Sequence, residues 1–249
     1  MPSYEPVTAL LRGLQVIEAL AARGAQSVGE LHSACAIPKA TLVRILETLA
    51  HAGYVQSGGD GPRYQLTARV LSLAKGFDEA RHIVTAVGPL LTKFQTSIPW
   101  PSDLGTFDRD AMVILATSRR PGVLSINRAV GSRVSASKTA LGRAYLAFIA
   151  SEQRGEALAN LKQLTGEPRD PKRFERLLAE VRKRGYATSD QENEPTIRAL
   201  AAPIFWGGEV VASLNVIVVA EALTLREIEK RYAEPLLAIA RRMSTALGS

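Results

Sequence analysis

Cysteine is almost absent from this chain of 249 residues, and the single Cys35 rules out an internal disulfide. Histidine is scarce too. His32, His51 and His82 are the only imidazoles, and with Cys35 they make no cluster at zinc-site spacing, so no metal is expected. No run reaches the ~18 apolar residues of a membrane-spanning helix. The opening MPSYEPVTALLRG lacks the charged-then-apolar layout of a secretion signal, so the expectation is a cytoplasmic protein with no membrane partner. Also missing are a Ser-His-Asp arrangement, a glycine-rich phosphate loop, an internal repeat and a low-complexity tract. Asp103, Asp108 and Asp110 are accounted for by turns and caps, so no catalytic residue is assigned and no cofactor is expected.

What is present is apolar and basic. At 46% hydrophobic the chain buries a substantial core, and its length suits two domains. Lys and Arg number 31 against 24 acids, a formal charge of +7 with a pI near 9.7. Such a balance suits polyanionic partners without naming one. Residues 1–75 net only +2, and much of the excess falls in helical stretches such as KRFERLLAEVRKRG that read as solvated faces.

Leu10, Leu14, Ile17 and Ala21 recur at helical spacing and predict a first helix ending near Gly24. Ser27 and Glu30 have capping-box spacing, which starts a short helix at Val28 running to about Ala34. After CAI, Pro38 suits the first position of a third helix, with Leu42, Ile45, Leu46 and Leu49 facing inward. Two helices about three residues apart form a helix-turn-helix, whose second member can lie in a DNA major groove. Lys39, Ala40, Thr41, Val43, Arg44 and Glu47 are then left on or near the outward side. Lys39, Thr41 and Arg44 suit phosphates or base edges, and Ala40 or Val43 a thymine methyl.

Tyr54–Gln56 and Arg63–Leu66 flank the tip Gly58–Pro62 as a hairpin, which makes a winged variant with Arg63 in reach of phosphate or a minor groove. An ordinary surface hairpin is the alternative. The following ARVLSLAKGFDEARHIVTAVGPLLTKFQTSI reads as helix broken around Gly76 and Gly88–Pro89, a natural connector. Beyond it SDLGTFD, AMVILATS, VLSINRAV and SRVSAS read as strands. Three helices follow, then the strands IRALAAPIF and EVVASLNVIVV and a last helix from about Thr224 to Leu247, an α+β arrangement.

The run from RGLQVIEALAARG to GPRYQLT, together with SKTALGRAYLAF and RGYATSDQENEPTIRALAAPIFWGGEVVASLNV, resembles the IclR-type transcriptional regulators. The similarity extends over about residues 9–245. WPSDLGTFDRDAMVI and GSRVSASKTALGRAYLAF look closest to the regulators of hydroxyphenylpropionate catabolism. The resemblance implies a winged helix-turn-helix domain over residues 1–68, a linker helix over 69–82 and a GAF-like effector-binding domain over 83–249. It further implies a homodimer or homotetramer that binds double-stranded promoter DNA and answers to a small metabolite. Carried over by motif, the effector pocket comprises Val123, Ile126, Val134, Thr139, Ala140, Leu141, Ile197, Ala199, Asn215 and Ile217.

Ala199 stands where the family often has Cys, and Asn215 and Ile217 replace a pair of serines. The less polar lining argues against an effector as small as glyoxylate and for a larger, partly apolar one, such as an aromatic carboxylate. A helix starting near Thr139, with Lys138 adjacent, offers free amides to that carboxylate. Arg128 and Arg198 are further candidates, or structural ion pairs. Two other readings stand beside this one: an enzyme acting on a small aromatic acid, with the N-terminal helices used only for dimerisation, and an architectural DNA-binding protein without effector.

Overall fold

The computed structural model describes residues 5–58, 63–74, 78–118 and 129–248. The chain divides into two compact units, Met1–Asp78 and Glu79–Ser249.

In the first unit α1 (Thr8–Arg23), α2 (Val28–Cys35) and α3 (Lys39–His51) surround a core of Val16, Leu20, Leu31, Ile37, Leu42, Leu46 and Val55. The capping box forms at α2: Ser27 Oγ accepts the Glu30 N–H at 3.3 Å, and Glu30 Oε2 accepts the Ser27 N–H at 2.6 Å. Ala36 then turns the chain with a φ of 55°. Pro38 stands one position earlier than expected, as the residue before α3, where its carbonyl accepts the Leu42 N–H at 2.9 Å. The inward face of α1 also differs from expectation. Val16 and Leu20 are buried, Ile17 is half-buried, Ala21 is exposed, and Leu10 and Leu14 are 63% and 47% exposed. Helical spacing allows two adjacent apolar stripes on α1, and the small core reaches only the one on its C-terminal half.

The hairpin forms as β2 (Val55–Ser57) and β3 (Arg63–Leu66), in antiparallel register with Val55 opposite Leu66. β1 (Gln26–Ser27) adds to the other side of β3, a strand too short for periodicity to reveal. The tip residues 59–62 lie outside the described residues. A 3-10 segment, Ala68–Ala74, follows.

The second unit opens with α4 (Asp78–Ser97), whose Ala80, Ile83, Val87, Leu91 and Phe94 join its core. Residues 78–82, expected in the linker helix, are the first residues of α4, and by packing contacts the division between the two units falls at 78/79. The expected break at Gly88–Pro89 does not occur, because Pro89 lies inside α4. Proline in a helix interior costs roughly 3 kcal/mol, and an apolar stripe buried on both sides of it offsets that cost.

Six antiparallel strands form one sheet: β4 (Asp103–Asp108), β5 (Ala111–Thr117), β6 (Arg133–Ser135), β7 (Ala187–Asp190), β8 (Ile197–Trp206) and β9 (Glu209–Val219), in the order β6-β5-β4-β9-β8-β7. The two-residue alternation of β8 and β9 sends Leu200, Ala202, Leu214 and Val216 to one face, against α4 and α8 (Leu225–Leu247). Ile197, Ala199, Ala201 and Ile217 go to the other, against α5 (Ala140–Phe148) and α7 (Pro171–Arg184), which α6 (Ser151–Thr165) joins. Gly142 lets the first turn of α5 press on the chain leaving β6: a Cβ there would fall 2.2 Å from the Ala136 carbonyl oxygen. The expected strand over VLSINRAV lies mostly outside the described residues.

Candidate functional site

Two places gather the residues singled out by the sequence. The first is α3. Leu42 and Leu46 are fully buried, which turns Lys39, Ala40, Val43, Arg44 and Glu47 to solvent and leaves Thr41 half-buried. Neither an acidic residue in the first turn nor a capping side chain neutralises the positive end of this helix. On one flank Thr41, Arg44 and Ile45 meet Leu10, Leu14 and Ile17 of α1 across a groove of about 700 Å³.

Arg63, expected in reach of phosphate or a minor groove, makes bonds within its own unit. Its Nη2 donates to the Ala25 carbonyl at 2.8 Å and to Glu30 Oε1 at 3.0 Å, which ties β3 to the start of α2. The Ser27 backbone N–H, then the Ser27 hydroxyl and Arg63, hold the Glu30 carboxyl below its ordinary value. A second arginine, Arg69, lies 5.2 Å from the centroid of the Tyr54 ring at the foot of the hairpin; nothing in its spacing marked it out.

The second place lies between the start of α5 and the sheet. Thr139, Ala140, Ile197, Ala199, Asn215 and Ile217 wall a single cavity. Thr139 caps α5: its Oγ1 accepts the Gly142 N–H at 3.2 Å and donates to the Ser135 carbonyl at 2.6 Å. The first-turn N–H groups of Ala140 and Leu141 have no intrahelical acceptor, so this helix end can receive an anion. Asn215, 2% exposed, uses Oδ1 to accept the Asp103 N–H at 2.6 Å and keeps its amide nitrogen as the end it can offer a guest.

Val134 and Leu141 are buried in the same apolar cluster but do not line the cavity. Val123, Ile126 and Arg128 lie outside the described residues. Lys138 pairs with Glu167 at 3.2 Å, and this hydrogen bond is the main cause holding the Glu167 carboxyl below its ordinary value. Arg198 is structural: it bonds Asp190 at 2.6 Å, Gln191 Oε1 at 3.1 Å and the carbonyls of Ala220 and Leu223.

Sequence reasoning missed the opposite rim. Ser189 of β7 and Glu192, Asn193 and Glu194 of the β7–β8 loop complete the wall. The polar run SDQENEPT ahead of an apolar strand was the available signal. Free space amounts to about 10 Å³, room for one water.

The model for the IclR helix-turn-helix domain matches residues 9–59, and that for the bacterial transcriptional regulator IclR C-terminal domain matches residues 78–245. The chain belongs to the IclR family. A Pca regulon regulatory protein from Pseudomonas putida is 31% identical over 241 residues, covering 94% of this chain and 82% of that protein. An IclR homologue from Microbacterium hydrocarbonoxydans, solved in complex with 4-hydroxybenzoate, shares the fold with a TM-score of 0.72 at 22% identity, over 96% of this chain and 97% of that one. The IclR protein of Thermotoga maritima does so with a TM-score of 0.71 at 23% identity, over 98% and 100%. This IclR-family chain is thus a DNA-binding transcriptional regulator, and the enzyme reading is set aside. No helix among its described residues is long and apolar enough to cross a membrane.

Proposed function

We propose that this regulator holds a small carboxylate, aromatic in character, in the cavity beneath α5, and that the guest adjusts its grip on double-stranded promoter DNA upstream of a catabolic operon. One observation carries the reading: six residues expected from sequence converge on one cavity that has a helix N-terminus on one side and apolar sheet residues on the other. The α5 amides receive the carboxylate beside Thr139; Ile197, Ala199 and Ile217 take the apolar body, and Asn215 meets a polar substituent. Glu192 and Glu194 on the far rim disfavour a second carboxylate. The Pseudomonas putida relative supports an aromatic-catabolic role. The homologue solved with 4-hydroxybenzoate shows that an aromatic acid can be held in a protein of this fold.

On DNA, Lys39, Ala40, Thr41, Val43 and Arg44 face the groove, and Arg63 braces the wing. The exposed Val7, Leu10, Leu11 and Leu14 on and just before α1 support assembly with a second copy, as homodimer or homotetramer in the cytoplasm. Effector binding acts as a population shift, with a coupling of roughly 1–3 kcal/mol between guest and DNA.

Mobility shift on the chain's own promoter, with and without 4-hydroxybenzoate or related aromatic acids, is the test. Ala140→Trp is expected to abolish the response and keep DNA binding. A full response in that variant would move the effector elsewhere, and indifference to promoter DNA would end the reading.

A further inference from the structure

We infer that Arg143 positions the cavity: its guanidinium clamps the acidic β7–β8 loop against the first turn of α5, and a guest enters only when the Arg143–Glu192 pair releases. The inference rests on the effector reading above but uses residues outside the expected set. Arg143 is 7% exposed, an unusual depth for a guanidinium. Its Nε donates to the Ser137 carbonyl at 2.8 Å, and its Nη1 to the Thr188 carbonyl at 2.8 Å and to Glu192 Oε1 at 2.9 Å. Ser137 lies two residues before Thr139 on the α5 rim, Thr188 precedes Ser189 on the opposite rim, and Glu192 is itself part of the wall. One buried cation therefore spans both sides of the opening.

Of its three acceptors, two are backbone carbonyls fixed by neighbouring elements. The third belongs to a loop, on a side chain 41% exposed whose other carboxylate oxygen accepts the Asp190 N–H at the loop's root, so this acceptor swings outward only together with the loop. Internal bonds close that loop on itself: the Gln191 N–H to the Ile197 carbonyl at 3.0 Å, the Ile197 N–H to the Glu194 carbonyl at 3.2 Å, and Gln191 Nε2 to the Pro195 carbonyl at 2.5 Å. It is built to move as one piece, rooted where Arg198 holds Asp190. About 10 Å³ of free space accepts no benzoate-sized guest, while ligand pockets typically measure ~300–1,000 Å³. Expansion must displace a wall. Among the described walls the α5 side is locked by Gly142 against Ala136 and the sheet side by its strand ladder, so of these the loop gives way and the charge pair sets how often.

The test needs no ligand. In the full chain carrying Cys35→Ser, Ala199→Cys places a thiol in the cavity wall, and its rate of reaction with 5,5′-dithiobis(2-nitrobenzoate) reports opening. Adding Glu192→Gln is expected to raise that rate about tenfold. A thiol placed by Ala202→Cys, on the opposite and fully buried face of β8, should keep its rate and so register global unfolding alone. Acceleration at both thiols, or at neither, overturns the clamp. Should Ala199→Cys fail to fold, amide exchange in the Glu192→Gln chain decides between the same outcomes: faster at residues 189–197 alone supports the clamp, and unchanged or uniformly faster refutes it. Labelling accelerated by Glu192→Gln that 4-hydroxybenzoate does not slow upholds the clamp and counts against that acid as occupant.

Discussion

Gly142→Ala adds one methyl group at the place where α5 meets the chain leaving β6. Its Cβ would lie 2.2 Å from the Ala136 carbonyl oxygen, 2.3 Å from its Cα and 2.6 Å from its carbonyl carbon. All three are backbone atoms, so no side chain can rotate aside, and restoring ordinary contact requires α5 to retreat by about 1 Å. Alanine gains about 1 kcal/mol of helix propensity over glycine. Overpacking in a close-packed interior costs roughly 1–3 kcal/mol, and more when rigid elements must part. A net destabilisation of about 2 kcal/mol is expected, which lowers the midpoint of a unit this size by roughly 4–8 °C. Urea and thermal unfolding of the full chain measure it. The same retreat withdraws Ala140 and the N-terminal end of α5 from the cavity, so response to an aromatic acid should fall while promoter binding by the first unit persists. A variant as stable as the parent and equally responsive would refute the packing reasoning.

Arg44→Ala is expected to weaken specific promoter binding by about 1–3 kcal/mol and to relax preference at one position per half-site, read by mobility shift on an operator substitution series. Arg63→Ala should leave the salt dependence of DNA binding unchanged and lower the stability of the first unit; a slope reduced by about one unit would instead put Arg63 on a phosphate. Because the Glu30 carboxyl is held below its ordinary value near 4.5, its capping contribution is present above that pH and is lost as pH falls through the lower folded value. Glu30→Gln, which removes the titrating carboxyl itself, should flatten the acid limb of the first unit's stability profile, and an unchanged limb would count against the box.

The helix-turn-helix was legible because its signals are local. Ser27, Glu30 and Pro38 mark helix starts by side-chain chemistry within a single turn, and the buried Leu42 and Leu46 fix which face of α3 points outward. The inward stripe of α1 was not legible, because periodicity gives an angle and not the extent of the core it meets. The continuity of α4 through Gly88–Pro89 was hidden for a related reason: a buried stripe outweighs one lost hydrogen bond, and that stripe is defined by distant strands. Half of the cavity was readable through the motif around Thr139. Its other rim was not, since Glu192 takes its place from a bond to Arg143, 49 residues away, and an arginine within a helix reads as exposed until the fold buries it.

The two units also keep separate cores of unequal extent. Among the described residues, seven buried apolar side chains hold the first, while the second has two such clusters on the two faces of its sheet. Cohesion scales with what is hidden from water, so the smaller body is the first to melt. On warming, promoter occupancy should vanish at a temperature where the sensor is still intact, and a calorimetric trace should register two endotherms with the minor one leading.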